Sequence, residues 1–108
     1  MDITFETRRL YVAPRKSVLF FAKVGDQRVR CYVRQDALVE PALGLREESD
    51  LYQRCLLSFD QHRDAIHAAA MQLIEASVLT TDGAVIVSRT ALTLEAHLPI
   101  SALESVEN

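Results

Sequence analysis

Residues 18–34 read VLFFAKVGDQRVRCYVR, two runs of β-branched and aromatic residues joined by Gly25-Asp26. A two-residue connection led by glycine between such runs is typical of a tight β-hairpin. With Gly25-Asp26 as the loop, Phe20 faces Cys31 and Val18 faces Val33. Because side chains alternate along a strand, one face of this hairpin is apolar and is expected to belong to the core.

The reverse face of the same hairpin is cationic near the turn and aromatic farther from it. Basic side chains interleaved with aromatic rings can bind single-stranded nucleic acid. Alternating arginines on a strand are also common on a solvated face, where they can pair with acidic neighbours. The candidate contact residues for a nucleic acid or another partner are therefore Lys23, Arg28, Arg30, Arg34, Phe21 and Tyr32.

Residues 49–78 predict one long helix, because they contain no proline or glycine and repeat apolar residues at helical spacing. Ser49 can cap the first turn, and neighbouring acidic residues complement the helix dipole. The helix is expected to end between Ala76 and Leu79, before the turn signal Asp82-Gly83. The stripe that should face the sheet comprises Tyr52, Cys55, Phe59, Ile66, Ala69, Leu73 and Ala76.

Shorter elements are expected on both sides of the hairpin. Two segments, 3–5 and 9–13, are extended in character. A turn is expected next, over 13–16, where proline takes its favoured second position, and strands could lie on both sides of it. A short helix should begin near Gln35, break at Pro41 and close at Gly44. Its expected anchors are Leu38 and Leu43.

The last quarter of the chain predicts a buried strand over 84–88 and a half-exposed strand in which Leu92, Leu94 and Ala96 point to one side. A bulge or turn near Arg89-Thr90 would reconcile the phases of the two segments. Residues 99–108 could form one capped turn or a disordered tail.

These elements predict an α+β fold: an antiparallel sheet of about four to five strands, one long helix on one face and a short helix at the edge. The 108 residues, 49% of them hydrophobic, fit a single domain over 1–98 followed by a tail over 99–108. Charge is uneven, since residues 1–34 hold eight lysines and arginines against three acids, whereas residues 35–108 hold four against twelve. This asymmetry favours attraction between the two halves, a second copy, or a nucleic acid.

The two cysteines, Cys31 and Cys55, both fall at positions expected to face inward, which is typical of reduced thiols in a cytoplasmic protein, although a disulfide between them stays open. The chain does not begin with an apolar run of signal-peptide length, and none of its uncharged runs approaches the length of a membrane helix. We therefore expect a soluble cytoplasmic protein.

The sequence indicates no catalytic, cofactor-binding or metal-binding residues. His62 and His67 are five residues apart, so on a helix they diverge and cannot share a metal as an i, i+4 pair can. With three glycines in 108 residues, no glycine-rich phosphate loop is present. Buried cysteines usually behave as small apolar residues. We therefore expect a protein that is not an enzyme and that uses no cofactor.

The order of features resembles a family of small bacterial proteins, the domain of unknown function 1488. The resemblance covers residues 2 to about 87. It implies an α+β fold and a bacterial origin, and it brings no catalytic residues with it. The likeness lies in 3–5, 18–22, Gly25, 29–33, Ala37, Leu38, Phe59, Arg63, Ile66 and Ala70.

The favoured function is a non-enzymatic accessory or regulatory protein that acts through contacts with an unknown protein partner or with itself. The alternative is a nucleic-acid-binding protein that uses the arginine-rich hairpin face. An enzyme ranks third.

Overall fold

A computed structural model of the chain describes residues 2–39 and 48–92. Within these residues one sheet contains four strands in the order β1-β2-β3-β4: Ile3–Val12, Ser17–Val24, Gln27–Arg34 and Val85–Val87. The helices of the same residues are Gln35–Leu38 (α1), Glu48–Gln61 (α2) and Arg63–Glu75 (α3). The predicted α+β class is confirmed. The predicted tail over 99–108 lies outside the described residues, as do Pro41, Leu43 and Gly44.

The hairpin between β2 and β3 has the predicted register. Phe20 pairs with Cys31 and Val18 with Val33, so the apolar partners face each other as expected. Gly25 opens the turn with a φ of +61°, a left-handed conformation that glycine adopts without steric cost. The turn therefore aligns the two strands so that Phe20, Cys31 and their alternate neighbours share one side of the sheet.

The two extended segments expected before the hairpin belong to one strand, β1, whose pairing with β2 shifts between Phe5 and Arg9. This irregularity allows both halves to pair with β2 while the strand bends. The predicted turn follows as a 3-10 helix, Ala13–Arg15, closed by Lys16 at a φ of +46°. The shift amounts to two residues and so preserves the alternation of side chains, and Ile3 and Phe5 face the same side of the sheet as Tyr11.

The sheet is antiparallel across β1, β2 and β3, but β4 pairs parallel to β3, which corrects the expectation of an all-antiparallel sheet. The reason is topological. A parallel neighbour needs a long crossover connection, and the chain between β3 and β4 includes α1, α2 and α3. Val85 pairs with Cys31 and Val87 with Val33, so both valines extend the buried face.

The prediction of one continuous helix over 49–78 is wrong, because α2 and α3 are separated at His62. The backbone of His62 has φ −116° and ψ 22°, outside the α region. Its ring Nδ1 lies 2.9 Å from the Ser58 carbonyl oxygen, which also accepts the His62 backbone N–H. The helix therefore breaks where the His62 backbone leaves the α region, although neither proline nor glycine is present there.

The helices cover the apolar side of the sheet with much of the predicted stripe. Phe59 of α2 packs on Phe20 of β2 at a ring-centroid distance of 5.3 Å. The described part of the stripe is buried at Cys55, Phe59, Ile66 and Ala69, whereas Ala76 is exposed because α3 ends at Glu75.

Residues near the end of the described chain correct one more expectation. Residues 89–92 form a helical turn, so of the bulge or turn expected near Arg89-Thr90 the structure has a turn. Leu92 belongs to this turn and not to the predicted half-exposed strand, whose other residues lie outside the described part of the chain. The Ser88 hydroxyl accepts the Ala91 N–H at 3.2 Å, and the Ser88 carbonyl accepts the Leu92 N–H at 3.0 Å. A serine that caps the first turn therefore redirects the chain after β4.

His67 lies in the aromatic part of the core. Its ring stacks on Phe5 at a centroid distance of 4.1 Å and an interplanar angle of 10°, and it lies 5.7 Å from the Phe20 ring. Its Nε2 is buried without a hydrogen-bond partner among the described residues. Burial, and next the charge of Arg63, lower the pKa of His67, although Asp64 acts in the opposite direction.

We expect the free energy of unfolding to fall as the pH drops below about 6.5. The unfolded chain binds a proton on His67 at its ordinary pKa, whereas the folded chain resists that proton. His67→Phe keeps an aromatic ring against Phe5 and removes the titrating nitrogens. In this variant, the free energy of unfolding measured with urea should depend less on pH between about 5 and about 7.

The matched control for this experiment is His62→Phe, because His62 is exposed. That variant should retain the wild-type dependence on pH. An unchanged slope in His67→Phe would show that the buried imidazole is not the source of acid sensitivity.

Candidate interaction face

The side of the sheet opposite α2 and α3 is called the outer face here. Four apolar side chains cross it in register, one from each strand, because Leu10 pairs with Leu19, Leu19 with Tyr32 and Tyr32 with Ile86. The helical residues of the core cluster pack on the other side, with Phe20 and Cys31. Leu10 remains 36% exposed. Within the described part of the chain, this apolar row therefore has no helix or strand over it, and Leu10, Leu19 and Ile86 are at least partly exposed.

Guanidinium groups cover the two aromatic rings of this face. The Arg28 guanidinium carbon lies 3.7 Å from the centroid of the Phe21 ring, and that of Arg15 lies 4.4 Å from the centroid of Tyr32. These are cation–π distances. The rings retain only 8% and 5% exposure, so neither presents an open surface on which a base could stack.

Carboxylates pair with the arginines of the outer face. Arg28 donates two hydrogen bonds to Glu6, at 2.8 and 2.9 Å, and Arg30 donates one to Asp82 at 3.0 Å. The contact between Arg34 and Asp36 is looser, at 3.7 Å. The hydrogen bond from Arg28 lowers the pKa of Glu6. These exposed pairs hold the guanidinium groups in place but contribute little stability.

All six candidate contact residues predicted from the sequence lie on β2 or β3 at positions that alternate onto the outer face. The rings of Phe21 and Tyr32 lie against the sheet, and the guanidinium groups of Arg28 and Arg15 lie over them. Lys23 is exposed and makes no ion pair within the residues described. It therefore adds an uncompensated positive charge beside the hairpin turn.

Sequence reasoning missed the other contributors to this face. Ile86 could have been found from the strand alternation around it, once β4 was placed beside β3. Arg15, Glu6 and Asp82 reach the face from a turn, from the irregular part of β1 and from a loop. No local sequence signal connects them to the hairpin, because the contacts depend on the tertiary fold.

A second polar cluster lies where α2 meets α3, beside β1. Asp60 accepts hydrogen bonds from Arg9 at 2.8 and 2.9 Å and from Arg63 at 2.9 Å. The Arg9 guanidinium, and after it that of Arg63, hold the pKa of Asp60 below its usual value. With both cations on one carboxylate, this cluster ties β1 to the helices and offers no poised general base.

The two thiols are free and fully buried. Burial raises the pKa of Cys31 to about 12 and that of Cys55 to about 11, so the reactive thiolate is scarce at neutral pH. No group of three or more potential metal ligands occurs among the residues that the structure describes. In the same part of the chain, no helix has the length and apolarity required to cross a bilayer.

The fold and the outer face define a small α+β protein whose sheet is covered by helices on one side. The family model described as a protein of unknown function, DUF1488, matches residues 3–87, and the chain belongs to this family. No curated protein matches the chain. Its fold is similar to the crystal structure of a protein of unknown function from the DUF1488 family of Shewanella loihica PV-4. The TM-score is 0.67 at 24% identity over 80% of this chain and 93% of that one.

We expect both thiols to be protected from modification in the folded protein. The native chain should react with a disulfide reagent such as DTNB at pH about 8 at least about 100-fold more slowly than the urea-unfolded chain, since reaction requires opening of the core. Absorbance of the released thiol measures both rates. Rapid reaction of one native cysteine would contradict the assignment of that residue to the inert core.

Proposed function

We propose that the protein is a non-enzymatic accessory or regulatory protein of the bacterial cytoplasm that acts through protein–protein contacts on its outer face. The observation that carries the proposal is the apolar row of Leu10, Leu19, Tyr32 and Ile86, over which none of the described residues forms a helical layer. Apolar surface rimmed by polar groups is typical of a protein interaction site. Buried, free thiols are consistent with a reducing compartment.

The charge around the row specifies the chemistry of the partner. The cations of the outer face include Lys23, Arg15, Arg28, Arg30 and Arg34, and three carboxylates, Glu6, Asp82 and Asp36, pair with some of them. Positive charge remains in surplus. The face therefore suits a protein segment that brings apolar side chains to the row and carboxylates to the arginines.

The side chains that could perform chemistry support a non-enzymatic role. Both thiols are buried with raised pKa values, and Asp60 is held by two arginines. His67 is enclosed by aromatic rings. A general acid or base needs a positioned, titrating group within reach of a substrate, and these residues are engaged in packing or ion pairs.

Nucleic-acid binding is the second candidate, and the surplus of cations on the outer face favours it. The covered rings of Phe21 and Tyr32 favour a protein partner instead, because sequence-tolerant binding of single strands uses exposed aromatic platforms. The two candidates also differ in their response to salt, since release of counterions from phosphates makes nucleic-acid binding steeply salt-dependent.

The test of the proposal compares capture of proteins by wild type and by the double variant Arg28→Glu with Arg30→Glu. Immobilised protein is incubated with nuclease-treated extract of the bacterium that carries this chain, and bound proteins are identified by mass spectrometry. A specific partner should be retained by wild type and reduced at least about tenfold by the double variant, because the reversed charges repel an acidic segment.

The matched control is Gln53→Glu with Arg54→Glu and Gln61→Glu, which lowers the net charge equally at exposed positions of α2. It should retain the partner. Equal loss in the control and the face variant would contradict a role for the outer face. Salt-sensitive binding to random-sequence DNA or RNA that the face variant abolishes would establish the nucleic-acid function in its place.

A further inference from the structure

We propose that the beginning of β1 is a self-association edge, on which a second copy of this chain pairs antiparallel over residues 3–5. In this arrangement Thr4 faces Thr4 of the second copy, and Ile3 faces Phe5 of the second copy. The two sheets then continue into each other, with both outer faces on the same side. The inference goes beyond the proposed function and does not depend on it, because it requires no partner on the outer face.

The strand β1 lies at one edge of the sheet, and within the described residues no other strand pairs with its outer side. The Gly25 N–H donates to the Asp2 carbonyl at 3.2 Å, so this carbonyl points towards β2. Because the backbone groups of successive residues point to opposite sides of a strand, Thr4 also bonds to β2, whereas Ile3 and Phe5 direct theirs to the edge. A second strand can therefore bond to Ile3 and Phe5 without breaking the pairing of β1 with β2.

The later part of β1 is protected against such pairing. Its register with β2 shifts before Arg9, and the Arg63 side chain donates to the Thr7 carbonyl at 3.4 Å. Arg9 itself is held by Asp60 of α2. Irregular pairing and charged side chains are the usual means by which proteins prevent contact between sheet edges. The segment 3–5 has neither feature, since it pairs regularly with β2 and is uncharged.

The segment 3–5 is complementary to a second copy of itself. A two-fold axis at Thr4 places this residue opposite its counterpart on the outer face, and it places Ile3 opposite Phe5 on the inner face. Ile3 and Phe5 are only partly buried at the margin of the core, so each gains apolar cover from the other copy.

The ends of the pairing and the helices above it are compatible with this axis. Asp2 comes opposite Glu6 of the second copy, a carboxylate that already accepts two hydrogen bonds from Arg28. The helix α3 begins near β1, where Arg63 bonds the Thr7 carbonyl, and goes on to contact β4 at the opposite edge of the sheet. It therefore leads away from the edge on which the second copy binds.

Other two-fold axes along β1 are less favourable. Axes at Glu6, Arg8 or Arg9 would set like charges directly opposite each other, which destabilises a strand pair. An axis at Leu10 would face two leucines, but α2 is tied to that part of β1 by the ion pair between Arg9 and Asp60. Pairing there would bring the α2 helices of the two copies against each other.

A pairing of this length buries little surface, so the association is expected to be weak. Interfaces below about 1,200 Å² of total buried area are typical of transient contacts. We therefore expect a dissociation constant on the order of 100 µM, and the test has to reach millimolar concentrations of protein.

The first test is sedimentation equilibrium of the full chain between about 10 µM and about 1 mM. The average mass of wild type should rise from that of one chain towards that of two. Thr4→Lys and Thr4→Glu should each stay monomeric, because exposed residue 4 then meets the same charge in the second copy. An equimolar mixture of these two variants should associate at least about tenfold more tightly than either variant alone.

The matched controls are Thr81→Lys and Thr81→Glu, which introduce the same charges at an exposed threonine outside β1. Both should associate as wild type does, and mixing them should have no effect. These controls separate a pairing at residue 4 from a general response to the charge of the chain.

Disulfide formation provides a second test, which determines the register. In the proposed pairing, the two copies of Thr4 form a non-hydrogen-bonded antiparallel pair, with Cα atoms about 4.5 Å apart, a separation that a disulfide can span. With oxidised glutathione, Thr4→Cys should give a disulfide-linked dimer at least about tenfold faster than Leu10→Cys. A non-reducing gel measures both rates.

The inference is overturned if wild type stays monomeric at about 1 mM, or if Thr4→Lys associates as strongly as wild type. Faster linkage of Leu10→Cys than of Thr4→Cys would also overturn it, because the two copies would then meet at the other half of β1. None of these results bears on the proposed function, whose test depends on Arg28 and Arg30.

Discussion

The packing of Phe20 against Phe59 joins the hairpin to the helices, and most of the other arrangements in the molecule depend on it. Because side chains alternate along β2, burial of Phe20 under α2 turns Phe21 to the opposite side. The Gly25 turn then carries the same division into β3, where Cys31 is inside and Tyr32 outside. Because α2 and α3 lie on the same side, the sheet has a core there, and among the described residues no helix lies on the outer face.

On the outer face, arginine side chains shield the large aromatic rings from water. Phe21 and Tyr32 are large enough to need cover, and guanidinium groups provide it while their charge stays in water and on carboxylates. Such a covering can be displaced more readily than a packed helix, because each pair is exposed and weakly held. The proposed partner, which supplies both carboxylates and apolar groups, would therefore have to displace only this covering.

Local chemistry explains what could be predicted from the sequence. The hairpin register followed from Gly25 and strand alternation, and the buried stripe followed from helical spacing. The parallel pairing of β4 could not be predicted, because the sequence of a three-residue strand does not indicate which strand it pairs with or whether the pairing is parallel. The break at His62 could not be predicted either, because no proline or glycine marks the point where its backbone leaves the α region. The six candidate contact residues were predicted to share one face of the hairpin and do so, whereas Glu6 and Asp82, which pair with Arg28 and Arg30, come from distant parts of the chain.

The division of the sheet into a buried and an uncovered side is tested most directly by two neighbouring phenylalanines of one strand. We expect Phe20→Ala to lower the free energy of unfolding by about 3–5 kcal/mol, because it empties a packed site. Phe21→Ala should cost about 1–2 kcal/mol, because the Arg28 side chain and water can fill the space. Urea unfolding of both variants provides the measurement. Equal losses would show that the two sides are packed alike and would contradict this account.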